Sequence, residues 1–143
     1  MSAMGSLLLA AGFALCGVAV AAATERRGEL VHYNDVQIDV VIDGNGPAVV
    51  LLPSLARDSD DYDELAEGLA ANGFRVLRPK PRGIGRSTGP MAKVTLHDFA
   101  RDIAETVKAH GNGKAVVVGH AFGNWVARMT ATEIGRASCR ERV

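Results

Sequence analysis

The stretch "VVVGHAFGNWVARM", residues 116–129, decides how the rest of the chain is read. Three valines make a short apolar run, Gly119 and Gly123 bracket a turn, and a helix-forming pattern follows. Strand, tight turn and helix in that order is a layout some enzymes use to hold a nucleophile clear of a sheet. The residue at the tip of this turn is Ala121, whose methyl group has no nucleophilic atom.

Working outward, the neighbouring segments alternate strand and helix patterns. "KAVVVG" and "PAVVLLP" carry all-apolar cores, as expected of strands buried on both faces of a parallel sheet. "FRVLRP" reads as another strand, ending at Pro79. Near the start, Val36, Ile38, Val40 and Ile42 alternate after Asn34-Asp35, which predicts a β-hairpin with one buried face. Between the strands, Tyr62, Leu65, Ala66, Leu69 and Ala70 share a helical face, with Asp61 and Glu64 at capping-box spacing and Asn72-Gly73 as the stop. A second helix starts at Thr95 with Asp98 three residues on, and aligns Leu96, Phe99, Ala100, Ile103 and Val107. After the turn, Trp125, Val126 and Met129 are the expected apolar, core-packing side of a third helix. The order predicts an α/β protein: an antiparallel hairpin, then parallel strands with helices on both faces.

The ends of the chain read differently. Residues 7–20 are an apolar run followed by Ala21-Ala22-Ala23, the pattern of a secretory signal peptide covering residues 1–23, although no Lys or Arg precedes the run. The run is short for a membrane span, and no stable span is expected once it is removed. The reading implies export to the periplasm or medium; a misassigned start would instead leave the protein in the cytoplasm. Residues 133–143, "EIGRASCRERV", break the preceding periodicity, and their back-translation matches a widely used sequencing adapter. The segment is therefore expected to be an artefactual tail, with residues 24–132 the amino-terminal portion of a domain that continued further. Both cysteines, Cys16 and Cys139, fall in these end segments, so the middle of the chain has no disulfide to rely on.

Composition narrows the classes. A hydrophobic fraction of 48% with 22% charged residues is that of a globular protein, not a disordered one. Sixteen basic and sixteen acidic residues cancel, which argues against a nucleic-acid partner. No His/Cys/Asp grouping has metal-ligand spacing, and no cofactor motif is found. The basic stretch Arg75, Arg78, Lys80, Arg82 and Arg86 is expected to be a solvated strand end and loop.

Taken in order, "VVLLPSLARDSDDYDELAEGL", "RPKPRGIGRS" and "VVVGHAFGNWVA" resemble the amino-terminal half of the α/β-hydrolase family, over nearly all of residues 28–132. The resemblance implies that the turn at Gly119, His120, Ala121, Phe122 and Gly123 is a nucleophile elbow. It implies oxyanion donors at the backbone N–H groups of Leu55 and Phe122, which do not depend on side-chain identity. It also implies a Ser, Asp or Cys where Ala121 stands, and a triad acid and histidine that follow in chain order, beyond Thr132. Two further departures are Pro53-Ser54 in place of a common His-Gly and Lys80 in place of a common Asp. His120 is expected to be a packing neighbour of the turn, not a base; His32, His97 and His110 are expected at surfaces and helix ends. Three readings follow: a small-molecule ester hydrolase silenced at Ala121, a non-catalytic binder of a small molecule, or an inert truncated product whose strand at residues 115–118 is an open edge.

Overall fold

In the computed structural model, residues 25–140 are described, with side chains described as far as residue 135. The segment 1–23 expected to be a signal peptide lies outside these residues, as do the side chains of most of the expected tail. The elements run β1 (Arg26–Tyr33), β2 (Val36–Asp43), β3 (Ala48–Leu52), a 3-10 turn (Ser59–Tyr62), α1 (Asp63–Ala71), β4 (Arg75–Pro79), α2 (Leu96–His110), β5 (Val116–Gly119) and α3 (Phe122–Arg140). The five strands form one sheet in the order β1-β2-β4-β3-β5. β1 pairs antiparallel with β2 and β2 with β4, while β3 lies parallel to both β4 and β5. The antiparallel hairpin followed by parallel crossovers is the architecture expected from the sequence.

The two faces of the sheet are chemically distinct. Ile38, Val40, Ile42, Val50, Leu52 and Leu77 face α2 and α3 and pack with Ile103, Val107 and Val126. Val49, Leu51 and Val76 face α1 and pack on Ala66, with Tyr62 and Leu69 at the margin. β2 alternates as expected, but its second face is buried too: Asp39 and Asp43 are 7% and 2% exposed. They are neutralised by cations from the following elements. Arg78 Nη2 lies 2.9 Å from Asp43, and Arg26 Nε donates to the same carboxylate at 2.6 Å. Arg86 Nη2 donates to Asp39 at 2.7 Å.

The basic stretch is therefore largely ion-paired or hydrogen-bonded and not a uniformly solvated surface, although the Arg86 side chain stays 55% exposed. Arg78 is fully buried, donating also to the Ser59 carbonyl and to Asp63 at 2.5 Å. Lys80 is held by Asp58 at 2.8 Å and Asp60 at 3.4 Å. Arg82 is gripped by Asp102, and Arg75 Nη1 donates to the His110 carbonyl at the end of α2. Each side chain alternates out of β4 or its loop into a carboxylate or carbonyl brought from another element.

Three helix expectations change. The predicted capping box at Asp61 and Glu64 is not formed; Asp58 caps the 3-10 turn by accepting from Ser59 N, and Asp61 instead pairs with Arg57. Leu65 lies on the solvent side of α1, 47% exposed. Trp125 is 67% exposed and is not core; α3 buries Val126 and Thr130, with Phe122, Ala127 and Ile134 beside them. The capping box at Thr95 and Asp98 is present as expected. The periodicity break expected at residue 133 does not end α3, which continues to Arg140. β5 is a sheet edge among the described residues, and Val116 and Val118 are exposed on the α1 side, so this strand is not buried on both faces.

Candidate active site

The turn between β5 and α3 is held from below by the end of β3. Leu52 pairs with Gly119 in the sheet, and the Leu52 carbonyl accepts from His120 N at 3.2 Å. Two further bonds close the turn, Gly123 N to the His120 carbonyl at 2.8 Å and Asn124 N to the Ala121 carbonyl at 3.1 Å. Ala121 sits at φ 50°, in the left-handed region that costs a residue with a Cβ about 1–2 kcal/mol. Both glycines are required by contact. A Cβ on Gly119 would meet the Gly123 carbonyl oxygen at 2.2 Å, and one on Gly123 would meet the Leu52 oxygen at 2.4 Å. The turn therefore pushes residue 121 outward while its flanks press against backbone.

Phe122 opens α3, so its N–H has no acceptor within the helix. Its ring is fixed by an edge-to-face contact with Phe99 of α2, centroids 5.6 Å apart. Opposite it, the loop after β3 turns at residues 54–57, with the Arg57 N–H donating to the Ser54 carbonyl at 3.1 Å and Ala56 at φ 59°. Leu55 is 63% exposed on this turn. Leu55, Phe122 and Gly123 border one cavity of about 320 Å³, whose apolar walls include Ile84, Met91, Phe99 and Val126. The structure thus brings together the two residues expected to supply backbone donors. Ala121 is exposed at the tip of the turn; the cavity wall begins at its neighbour Phe122.

The charged groups of the cavity wall are Lys80, Arg82 and Asp102. Each is matched. Arg82 donates twice to Asp102, at 3.0 and 2.9 Å, and once to the Pro90 carbonyl at 2.9 Å. The Tyr33 hydroxyl donates to the same carboxylate and accepts from Arg82 at 3.2 Å. Burial pushes the Asp102 carboxyl above the usual range, against the pull of Arg82 and Tyr33. Burial likewise pushes the Tyr33 phenol well up, reinforced by Asp102. Lys80 joins the loop after β4 to the loop after β3 through Asp58, which is what replaces the expected carboxylate at position 80.

His120 is exposed, and no carboxylate lies within ion-pair distance of its ring among the described residues, so nothing orients it as a base. His97 does more than end a helix: its Nδ1 lies 3.0 Å from Glu133, joining α2 to α3. Among the described residues no group of three His, Cys, Asp or Glu side chains is placed to hold a metal, and no helix is long and apolar enough to cross a membrane. The sequence reading missed the Tyr33–Arg82–Asp102 network. Its signal was present: Asp102 falls between Phe99 and Ile103 on the buried side of α2, where a carboxylate requires a partner.

A model of the alpha/beta hydrolase fold matches residues 47–134, more than half of the chain. The chain belongs to that family. Among curated members it is 31% identical over 103 residues to a soluble epoxide hydrolase from Corynebacterium sp. (strain C12), covering 69% of this chain and 36% of that protein. It is 33% identical over 104 residues to a fluoroacetate dehalogenase from Burkholderia sp., covering 69% and 33%. Among solved structures, epoxide hydrolase A from Mycobacterium thermoresistibile superposes with a TM-score of 0.68 at 24% identity, over 75% of this chain and 35% of that one. A thioesterase domain from the curacin biosynthetic pathway superposes with a TM-score of 0.69 at 23% identity, over 76% and 40%. The chain spans about a third of the length of the curated α/β hydrolases it matches.

Proposed function

We propose that this chain carries the nucleophile elbow and oxyanion loop of a hydrolase acting on a small, neutral ester or related compound, and that Ala121 silences it. The observation that carries this reading is Ala121 itself, held at φ 50° between two glycines that cannot accept a Cβ. A turn this constrained is costly, and its use is to present the side chain at its tip. With serine there, Oγ would attack a carbonyl carbon, and the developing oxyanion would be met by the Leu55 and Phe122 N–H groups. With a methyl group no bond forms, and the oxyanion donors alone supply only residual catalysis.

The neutrality of the substrate rests on the cavity wall. Lys80 and Arg82 are each paired with a carboxylate, and apart from Ser54 the remaining side chains of the wall are apolar. A charged ligand group would enter without a free counter-charge.

The test is Ala121→Ser in the protein translated from the full gene, assayed on p-nitrophenyl esters, with Ala121→Asp assayed on a small epoxide in parallel. Hydrolysis by either variant above the unsubstituted protein supports the reading; no gain in either rejects it. A second reading, a non-catalytic binder, is favoured by the same apolar cavity together with Ala121. It is supported if the unsubstituted protein binds the ester saturably without cleaving it and neither substitution restores turnover. Export is also part of the proposal, and mass analysis of the mature protein's first residue checks it: processing after Ala23 supports it, and a retained segment rejects it.

A further inference from the structure

The walls of the elbow cavity differ in how firmly they are held. Ile38, Ile103 and Val126 belong to the core, at 1%, 6% and 5% exposed, and form its closed end. Phe99 and Phe122 are locked edge to face. Ile84 sits in a turn closed by two backbone bonds, from Ile84 N to the Pro81 carbonyl and from Ser87 N to the Ile84 carbonyl, each 3.0 Å. Of the large apolar side chains in the wall, Leu55 and Met91 are the two that stay at least half exposed, at 63% and 53%, so they stand at the mouth.

Leu55 carries one of the expected backbone donors, which puts it at the reacting end. Met91 comes from a separate segment, the loop between β4 and α2, and the chain leading to it is tied at three successive residues. Thr88 bridges to Gln37 of β2 through backbone bonds of 2.8 and 3.0 Å. Gly89 lies against Val36 and Arg82, and a Cβ there would come within 3.2 and 3.3 Å of them. The Pro90 carbonyl, immediately before Met91, accepts from Arg82 Nη1 at 2.9 Å. Arg82 is itself fixed by two bonds to Asp102 and one to the Tyr33 hydroxyl. The buried network therefore has a consequence at the surface, because it anchors the backbone beside a long, unbranched side chain at the cavity mouth. A methionine on a fixed backbone fills or vacates space by changing rotamer, which a core isoleucine or a stacked ring does far less readily.

We propose that Met91 determines the specificity of this cavity, an assignment that rests on the cavity being the substrate site of the hydrolase. The side chain sets the width of the acyl group admitted, passing a straight chain and holding back a branched one.

The test uses the protein translated from the full gene, with Ala121 in place so that a bound ester is not cleaved. Calorimetric titration with p-nitrophenyl butyrate and with p-nitrophenyl pivalate gives a ratio of two affinities, and the butyrate is expected to bind the tighter. Met91→Ala is expected to shift that ratio about tenfold toward the pivalate, and Met91→Trp to shift it the other way. Met91→Leu, of nearly the same volume, is expected to keep the parent ratio. A side chain with only a structural role would weaken both esters together, so an unchanged ratio in Met91→Ala and Met91→Trp overturns the proposal. The same esters are then assayed for turnover in Ala121→Ser, with and without Met91→Ala. A shifted binding ratio without turnover upholds the role of Met91 and rejects hydrolysis. Turnover with the same ester preference in both backgrounds overturns the role of Met91 and leaves hydrolysis standing.

Discussion

The Leu52 carbonyl oxygen occupies the place where a side chain on Gly123 would begin: a Cβ built on Gly123 falls 2.4 Å from it and 2.7 Å from the Pro53 oxygen. The end of β3 and the start of α3 are therefore in backbone contact, and the neighbouring Gly119 seals the other side of the turn. Gly123→Ala is expected to cost about 2–3 kcal/mol through forced backbone displacement, despite alanine's better helix propensity. Gly68→Ala is the control. Gly68 is an exposed α1 position with nothing within 4 Å of its would-be Cβ, and the substitution is expected to stabilise by about 0.5–1 kcal/mol. Urea unfolding of the two variants beside the parent measures both; equal effects would contradict the contact.

Ala121 holds φ 50° without the freedom of glycine. Ala121→Gly is expected to stabilise the protein by about 1 kcal/mol, because it removes the left-handed penalty without disturbing a buried contact at this exposed tip. Ala121→Val is expected to destabilise by more than that, since a branched Cβ is poorly tolerated at positive φ. Thermal melts read both, and a stabilised valine variant would mean the turn is not strained.

What the sequence made legible was whatever repeats locally. The alternation of Val36 to Ile42, the apolar run of β3, the Thr95–Asp98 box and the spacing of Gly119 and Gly123 each lie within a few residues, and each was found where expected. The charged residues between β4 and α2 were misread because their partners are distant in the chain. Arg78 meets Asp43 from 35 residues away and Arg86 meets Asp39 from 47, and no local pattern announces such a pairing. Trp125 and Leu65 failed for another reason. Apolar type alone does not fix which face of a helix is buried, and the buried line of α3 runs through Val126 and Thr130. Of the candidate site, the turn and its flanks were readable; the cavity was not, because Met91, Ile84 and Phe99 reach it from separate segments.

The buried pair of Arg78 and Asp43 yields an asymmetric prediction. Arg78→Met is expected to cost about 3–5 kcal/mol, because Asp43, 2% exposed, would keep only the Arg26 contact. Arg78→Met combined with Asp43→Leu is expected to recover most of that loss, since no uncompensated charge stays buried. A double variant no more stable than the single one would show that the pair itself contributes the stability.

The exposed edge at β5 predicts self-association. Val116 is 63% exposed and Val118 44%, on a strand whose outer ladder groups have no partner strand among the described residues. Such an edge templates pairing with another chain. Val118→Lys is expected to raise the fraction of monomer in sedimentation velocity runs, and a parent protein that is already wholly monomeric would remove the premise.

His110 gives the pH dependence. Burial lowers its folded pKa below the ordinary value, with Glu29 opposing and Arg27 and Arg75 assisting. In the unfolded chain the ring titrates near about 6.5. A group whose folded pKa is depressed contributes stability that is fully present above its unfolded value, because both states are then neutral. As pH falls through that value the unfolded state takes up a proton that the folded state resists, and the contribution is lost progressively until the folded pKa is reached. The melting temperature is therefore expected to decline between about pH 7 and pH 5.5. His110→Gln is expected to flatten that decline while leaving the loss at lower pH, where Asp39 and Asp58 protonate. Burial raises both of those carboxyls, but Arg86 and Lys80 outweigh it and hold their pKa values below the usual range. A decline of the same slope in His110→Gln would assign it to another group.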